Sequence, residues 1–103
     1  MSLPVRTTAR ADGHVRRAVS WWKANRPASP GLFAQELADA FRLVGDAPRI
    51  GHELDSVELP NVWRILLPRT RYHVYYRLDA DPARVTVVAI WGAVRGRMPK
   101  LGA

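Results

Sequence analysis

The stretch from Tyr72 to Lys100, YHVYYRLDADPARVTVVAIWGAVRGRMPK, constrains the fold more than any other part of the sequence. Two runs rich in β-branched and aromatic residues flank an Asp-Ala-Asp-Pro segment, which is typical of a turn. We therefore predict an antiparallel strand pair, whose second strand is apolar on both faces over residues 85–91 and so lies inside a sheet. The first strand alternates: one face carries Tyr72, Val74, Tyr76 and Leu78, and the other carries Arg71, His73, Tyr75 and Arg77.

The rest of the chain predicts two more strands and two helices. Residues 5–10 alternate and have a polar side, which predicts a short strand at a sheet edge. Asp12 is the predicted N-cap of a helix that ends near Asn25, because Pro27 disfavours helical geometry before it. Ser29 is the predicted cap of a second helix that ends at Gly45. Residues 46–59 are predicted as loop, and residues 62–67 as a strand that places Arg64 on the face opposite to Trp63.

This order of elements is β-α-α-β-β-β and predicts an α+β fold. At 103 residues the chain is one domain, residues 1–103, with a single core. The simplest packing places the helical hairpin on one face of a small, mostly antiparallel sheet. The opposite face of the sheet is then open to partners.

Charge indicates an anionic partner. The formal net charge is +7, and seven basic residues lie between Arg69 and Lys100 against two acids, Asp79 and Asp81. Most of these bases are arginines, which suit planar contacts with carboxylates or phosphates. Charge by itself does not choose between an acidic protein and a nucleic acid.

Several classes of site and location are disfavoured by composition. There is no cysteine, no run of about 18 apolar residues and no apolar leader in MSLPVRTTARADG, so we expect a soluble cytoplasmic protein without a membrane partner. His14 and His52 lack partners at metal-ligand spacing, so we expect no metal. No Gly-rich phosphate loop and no nucleophile–His–Asp pattern is present, and we expect no cofactor.

The candidate binding residues lie in three places: on the open face, beyond the last strand and on the first helix. Arg64 is either an anion contact or a structural partner of Glu53, Asp55 or Glu58, and His73 is either a general base or an ordinary strand histidine. Tyr75 is the candidate for a stacking or hydrogen-bonding role. Trp21 falls beside the apolar stripe that contains Trp22, so it is a candidate contact. The full set is Trp21, Arg64, Arg71, His73, Tyr75, Arg77, Arg95 and Arg97.

Three segments carry a resemblance to a known family. They are FAQELADAFRLVGDAPRIG in the second predicted helix and its loop, NVWRILLPRTRYHVYYRL in the strand pair, and VTVVAIWGAVRGRMP at the end. In this order they resemble the RelE/ParE toxins of type II toxin–antitoxin systems over nearly the whole chain. The resemblance implies a toxin that forms a hetero-oligomer with a cognate acidic antitoxin encoded beside it.

The family divides in activity. RelE-like members are ribosome-dependent mRNA endonucleases, and for that branch Arg64 and Arg95 match arginines of the family. In a nuclease, His73 or Tyr75 would have to supply the proton transfer from the neighbouring strand. ParE-like members inhibit DNA gyrase. The nuclease branch carries a Tyr or His near its carboxyl terminus, whereas this chain has neither after Tyr76. We therefore expect a ParE-like toxin, with the ribosome and mRNA as alternative targets and an inactive, antitoxin-binding relic as a third reading.

Overall fold

The computed structural model describes residues 2–54 and 61–93 of the chain. The elements are β1 (Val5–Thr7), α1 (Ala9–Asn25), α2 (Leu32–Asp46), β2 (His52–Glu53), β3 (Val62–Leu67), β4 (Tyr72–Ala80) and β5 (Ala83–Gly92). The strands form one open sheet in the order β1-β5-β4-β3-β2, and both helices pack against one face of it. The predicted α+β class and the helical hairpin on a mostly antiparallel sheet are confirmed.

The strand neighbours agree with the predicted positions of the first and last strands. β3, β4 and β5 form an antiparallel meander, and β1 adds in parallel to β5, with Val5 opposite Val85. β1 is therefore an edge strand and β5 an interior one, as predicted. The loop prediction for residues 46–59 missed β2, which pairs with β3 by placing His52 opposite Arg64. A two-residue strand is too short to show a period in the sequence.

The start of α1 differs from the prediction. β1 ends at Thr7 rather than at residue 10, and Thr8 is the N-cap instead of Asp12. The Thr8 hydroxyl oxygen accepts a hydrogen bond from the backbone N–H of Ala11 at 3.1 Å. Because Thr8 keeps an extended backbone, it ends the strand and caps the helix at once. Asp12 lies in the first turn, where a carboxylate favours the helix dipole.

The start of α2 also differs. Ser29 is not the cap, because the helix begins at Leu32 after Gly31, which makes no side-chain capping bond. The N–H of Leu32 donates to the carbonyl of Ser29 at 3.2 Å, so the segment before the helix is a turn. The helix ends at Asp46, one residue beyond the predicted end.

The core lies between the two helices and the sheet face that they cover. Phe33 and Val44 of α2, Val74 and Tyr76 of β4 and Val87 of β5 are each 0% exposed. Trp22 and Tyr76 belong to this core, as predicted.

Two polar side chains, Glu36 and Tyr76, tie segments outside the regular elements to this core. The carboxylate of Glu36 on α2 accepts hydrogen bonds from the backbone N–H groups of Arg69 and Thr70, at 2.8 and 2.9 Å. The Thr70 hydroxyl donates to the same carboxylate at 2.6 Å. The Tyr76 hydroxyl donates to the carbonyl of Pro48 at 2.8 Å and accepts from the N–H of Gly51 at 3.2 Å. The β3–β4 turn and the segment before β2 are therefore held by side chains.

We predict that Gly51→Ala destabilises the fold by about 1–3 kcal/mol, measured by chemical unfolding, because overpacking of a filled site strains it. A Cβ atom at Gly51 would lie 2.6 Å from the Tyr76 hydroxyl and 2.8 Å from the carbonyl oxygen of Arg64. Gly13→Ala is the matched control. At Gly13 the Cβ would meet only flexible arginine ends, at 3.5 Å or more, so the variant gains about 0.5–1 kcal/mol of helix propensity. Equal effects of the two substitutions would contradict the packing described here.

Candidate partner-binding site

The open face of the sheet places four of its residues side by side near the β3–β4 turn. Arg64 lies opposite Tyr75, and Leu66 lies opposite His73. Directly opposed residues share a face, and this face is the one away from the helices, because Trp63 and Leu67 of β3 pack into the core. Arg71, in the turn just before β4, is near enough to act on His73 through its charge. We call Arg64, Leu66 and His73, together with Arg71 of the turn, the open-face patch.

The patch combines two cations with a neutral imidazole. Burial, together with the positive charges of Arg64 and Arg71, lowers the pKa of His73 below its ordinary value of 6.5. His73 is therefore uncharged at neutral pH and can accept a proton or a hydrogen bond. Arg64 makes no ion pair with Glu53, and no other carboxylate in residues 2–54 and 61–93 pairs with it. Asp55 and Glu58, its other predicted partners, lie outside the described residues.

At the far end of β4, a carboxylate neutralises part of the positive charge. The carboxylate of Asp79 accepts hydrogen bonds from Arg77 at 2.8 Å, from Arg84 at 3.0 Å and from the Thr86 hydroxyl at 2.7 Å. The bond from Arg77 is the main reason that the pKa of Asp79 lies well below its ordinary range. Arg77, a predicted binding residue, is thus part of an internal ion-pair network. The pairing of Arg77 with Asp79 could have been predicted from the sequence, because residues 77 and 79 share a face of the strand.

Tyr75 does not lie where a stacking residue is needed. It is on the predicted face, but it is only 2% exposed and packs with Val88 and Ala89. Leu54 and Trp91 also pack against this small cluster, so the buried ring of Tyr75 does not suit the stacking role proposed for it. Trp21 is 44% exposed, as predicted. Arg95 and Arg97 lie outside the described residues.

Sequence reasoning missed a cleft between the second half of α1 and the β3–β4 turn. It has a volume of about 690 Å³. Its rim carries arginines from both sides, and its inner wall carries tryptophans and apolar residues. We call it the basic cleft, and the residues used below are Arg17, Trp21, Trp22, Arg26, Arg69 and Arg71. One feature of the sequence indicates this cleft: Arg17 and Trp21 are four residues apart and therefore lie on the same face of α1.

The described part of the chain contains neither a metal-binding cluster nor a membrane-spanning helix. Within residues 2–54 and 61–93, no three His, Cys, Asp or Glu side chains cluster in a way that could hold a metal ion. No helix there is long and apolar enough to cross a membrane.

Comparison with known proteins assigns the family. A family model described as the ParE toxin of the type II toxin–antitoxin system parDE matches residues 5–95. The chain belongs to this family. It is therefore a toxin of the RelE/ParE superfamily of type II toxin–antitoxin systems. No curated protein sequence matches this ParE-family toxin significantly.

Solved structures share the fold of the toxin at low sequence identity. The ParDE system of P. aeruginosa superposes with a TM-score of 0.71 at 14% identity, covering 88% of this chain and 96% of that one. A mutant E. coli RelE toxin in the free state has a TM-score of 0.60 at 18% identity, covering 93% and 88%. The RelBE2 toxin–antitoxin complex of Mycobacterium tuberculosis has a TM-score of 0.59 at 20% identity, covering 89% and 99%. These likenesses support a shared fold with both branches.

We predict that Arg64→Gln raises the pKa of His73 in the toxin toward its ordinary value, because one of the two positive charges that oppose its protonation is removed. The pKa is measured from the imidazole proton shifts as a function of pH. Arg6→Gln, an exposed substitution in β1, is the charge-matched control and leaves the titration unchanged. Since the lowered pKa belongs to the folded state, His73 contributes less to stability as pH falls through 6.5. An identical His73 titration in both variants would exclude coupling to Arg64.

We predict that Asp79→Asn lowers the free energy of unfolding at pH 7 by about 1 kcal/mol, since its ion pairs are only partly buried. The depressed pKa of Asp79 means that its contribution is present above the ordinary carboxyl pKa of 3.8 and is lost as pH falls below it. The variant should therefore show a flatter stability profile below pH 4. Asp39→Asn is the control, because the pair of Asp39 with Arg42 is 59% and 72% exposed and contributes little. Equal losses in the two variants would refute the network as a stabilising feature.

Proposed function

We propose that this protein is a ParE-like toxin that inhibits DNA gyrase through protein contacts and is neutralised by its cognate antitoxin. The observation that carries the proposal is the match of the ParE toxin model to residues 5–95. The proposal includes a cytoplasmic location, because gyrase acts on DNA there. It also includes a toxin–antitoxin hetero-oligomer.

The chemistry of the chain supports binding more than cleavage. RNA cleavage by a 2′-hydroxyl requires a base, an acid and cations near the developing negative charge. The chain has no Tyr or His after Tyr76 to supply an acid near its end. Tyr75, the nearest hydroxyl on the patch strand, is 2% exposed. A protein-binding role needs none of these groups.

The open-face patch suits contact with an acidic protein surface. Arg64 is half-buried, so its guanidinium is better ordered than that of a fully exposed arginine, and Leu66 beside it is 37% exposed. Arginine next to an apolar side chain is a common composition for the centre of a protein interface. The neutral His73 adds a hydrogen-bonding group without more charge.

A second candidate function is ribosome-dependent mRNA cleavage. One observation favours it: His73 is held neutral beside Arg64 and Arg71, which is the protonation state that a general base requires. In this reading Arg64 and Arg95 stabilise the phosphorane. The third reading, an inactive relic, predicts antitoxin binding without toxicity.

The first test is growth after induction of this chain alone in bacteria, with and without the small reading frame beside its gene. We expect growth arrest that the neighbouring frame relieves. Purified toxin should inhibit DNA supercoiling by gyrase while leaving messages uncut in a translation reaction analysed by primer extension. Codon-positioned cuts with normal supercoiling would replace the proposal by the nuclease. Normal growth with retained antitoxin binding would indicate the relic.

Variants locate the surface that acts on the target. We predict that Arg64→Gln raises the toxin concentration for half-inhibition of supercoiling by about tenfold, the size typical for an arginine at an interface centre. Arg6→Gln on the far edge of the sheet is the control and changes it less than about twofold. Unfolding midpoints of both variants show whether the fold is intact. Equal inhibition by the two variants would place the target contact elsewhere.

A further inference from the structure

We infer that the basic cleft is a docking site for an acidic peptide segment of a partner protein, with arginines on the rim binding its carboxylates and the inner wall receiving an apolar side chain. This inference deepens the proposed function, on which it rests for the existence of a protein partner. It assigns a part of the surface that lies outside the open-face patch except at Arg71.

The rim carries charge that the described part of the chain does not neutralise. Arg17 belongs to α1, Arg26 is its C-cap residue, and Arg69 and Arg71 belong to the β3–β4 turn; all four are exposed. The three ion pairs found within residues 2–54 and 61–93 involve none of them. Glu36 lies next to the turn, but its two oxygens accept hydrogen bonds from Arg69 and Thr70 backbone groups and from the Thr70 hydroxyl. Four like charges around one cleft favour an anion.

Arg26 is already positioned for such a contact. Its guanidinium carbon lies 5.0 Å from the ring centre of Trp21 and 5.8 Å from that of Trp22, which are cation–π distances. A guanidinium held over a ring loses less side-chain entropy when it binds a carboxylate. The two indoles meet edge to face at 5.9 Å and form a platform for Arg26.

Arg71 occupies a backbone position that suits glycine better. Its φ is +64°, in the left-handed region that costs a non-glycine residue on the order of 1 kcal/mol. The backbone supports the conformation, because the Arg71 N–H donates to Leu67 and its carbonyl accepts from Ala93, each at 2.8 Å. Those bonds use only main-chain atoms, so they do not explain an arginine. An anion-binding role for the side chain does explain it.

The inner wall of the cleft fits an apolar side chain. Ala18 and Trp22 from α1 and Ile90 from β5 line it and are almost completely buried, and the half-buried Tyr72 lies between them and the turn. A volume of about 690 Å³ is within the range of pockets that enclose small ligands, so one or two side chains can enter. Apolar walls with a charged rim are the usual arrangement of a peptide-binding groove.

A peptide fits this arrangement better than a single-stranded nucleic acid does. Binding of nucleic acid strands relies on open aromatic faces for base stacking. Here Arg26 lies over both Trp21 and Trp22, so a base has to displace it. A carboxylate instead binds Arg26 where it already lies.

The probe is a fluorescein-labelled peptide of three Glu-Leu-Asp-Phe repeats, and its binding to the purified toxin is followed by fluorescence anisotropy. We expect saturable binding that weakens at high salt and is lost for the Gln-Leu-Asn-Phe analogue. The double variant Arg17→Gln and Arg26→Gln should bind about tenfold more weakly. The matched control is Arg16→Gln with Lys23→Gln, which removes the same charge from exposed positions of α1 outside the cleft and changes binding less than about twofold.

Arg71→Gly is a second variant, which tests the cleft without any substitution in α1. Glycine adopts the positive φ without strain, so the variant should be at least as stable as the natural chain while binding the acidic peptide more weakly.

An equal loss of peptide affinity in the cleft and control variants would overturn the inference. Tighter binding of a 12-nucleotide single-stranded DNA that displaces the peptide would also overturn it. Toxicity is scored separately: a non-toxic chain that binds the peptide through the cleft contradicts only the proposed function.

Discussion

Burial of one side of the β4–β5 strand pair under the helical hairpin is the constraint on which the rest of the structure depends. Val74, Tyr76 and Val87 are completely buried there. Because side chains alternate along a strand, this burial places His73 and Tyr75 on the other side. The antiparallel register with β3 then brings Arg64 and Leu66 beside them. The open-face patch is thus a consequence of how the core is filled.

The positive charge of the toxin is divided unequally over its surface. At one end of β4, Asp79 binds Arg77 and Arg84 and neutralises half of their charge. At the other end, the β3–β4 turn presents Arg69 and Arg71, whose guanidinium groups have no ion-pair partner in the described part of the chain. Among the described residues, this end of β4 therefore carries more unpaired positive charge than the end at Asp79. Arg71 connects two surfaces, since it lowers the pKa of His73 and also lines the basic cleft.

Much of the fold could be predicted because its elements carry strong local patterns. The two-residue period of β3 and β4, the apolar run of β5 and the helical stripe with Trp22 all identified their elements. Helix starts were less predictable, since Thr8 and Asp12 are both good caps by residue type and only the end of β1 selects Thr8. β2 consists of two residues and forms because β3 offers it a free edge.

The sequence by itself determined the fold class, the family and the side of the sheet that is open, because these follow from periodicity and from motifs along the chain. Only the tertiary structure decided which polar residues are available. Tyr75 is buried by Val88 and Ala89, and Asp79 reaches Arg84 through the hairpin register. The basic cleft combines α1 with a turn about fifty residues later. Such contacts depend on distances through space, and residue spacing along a chain does not encode them.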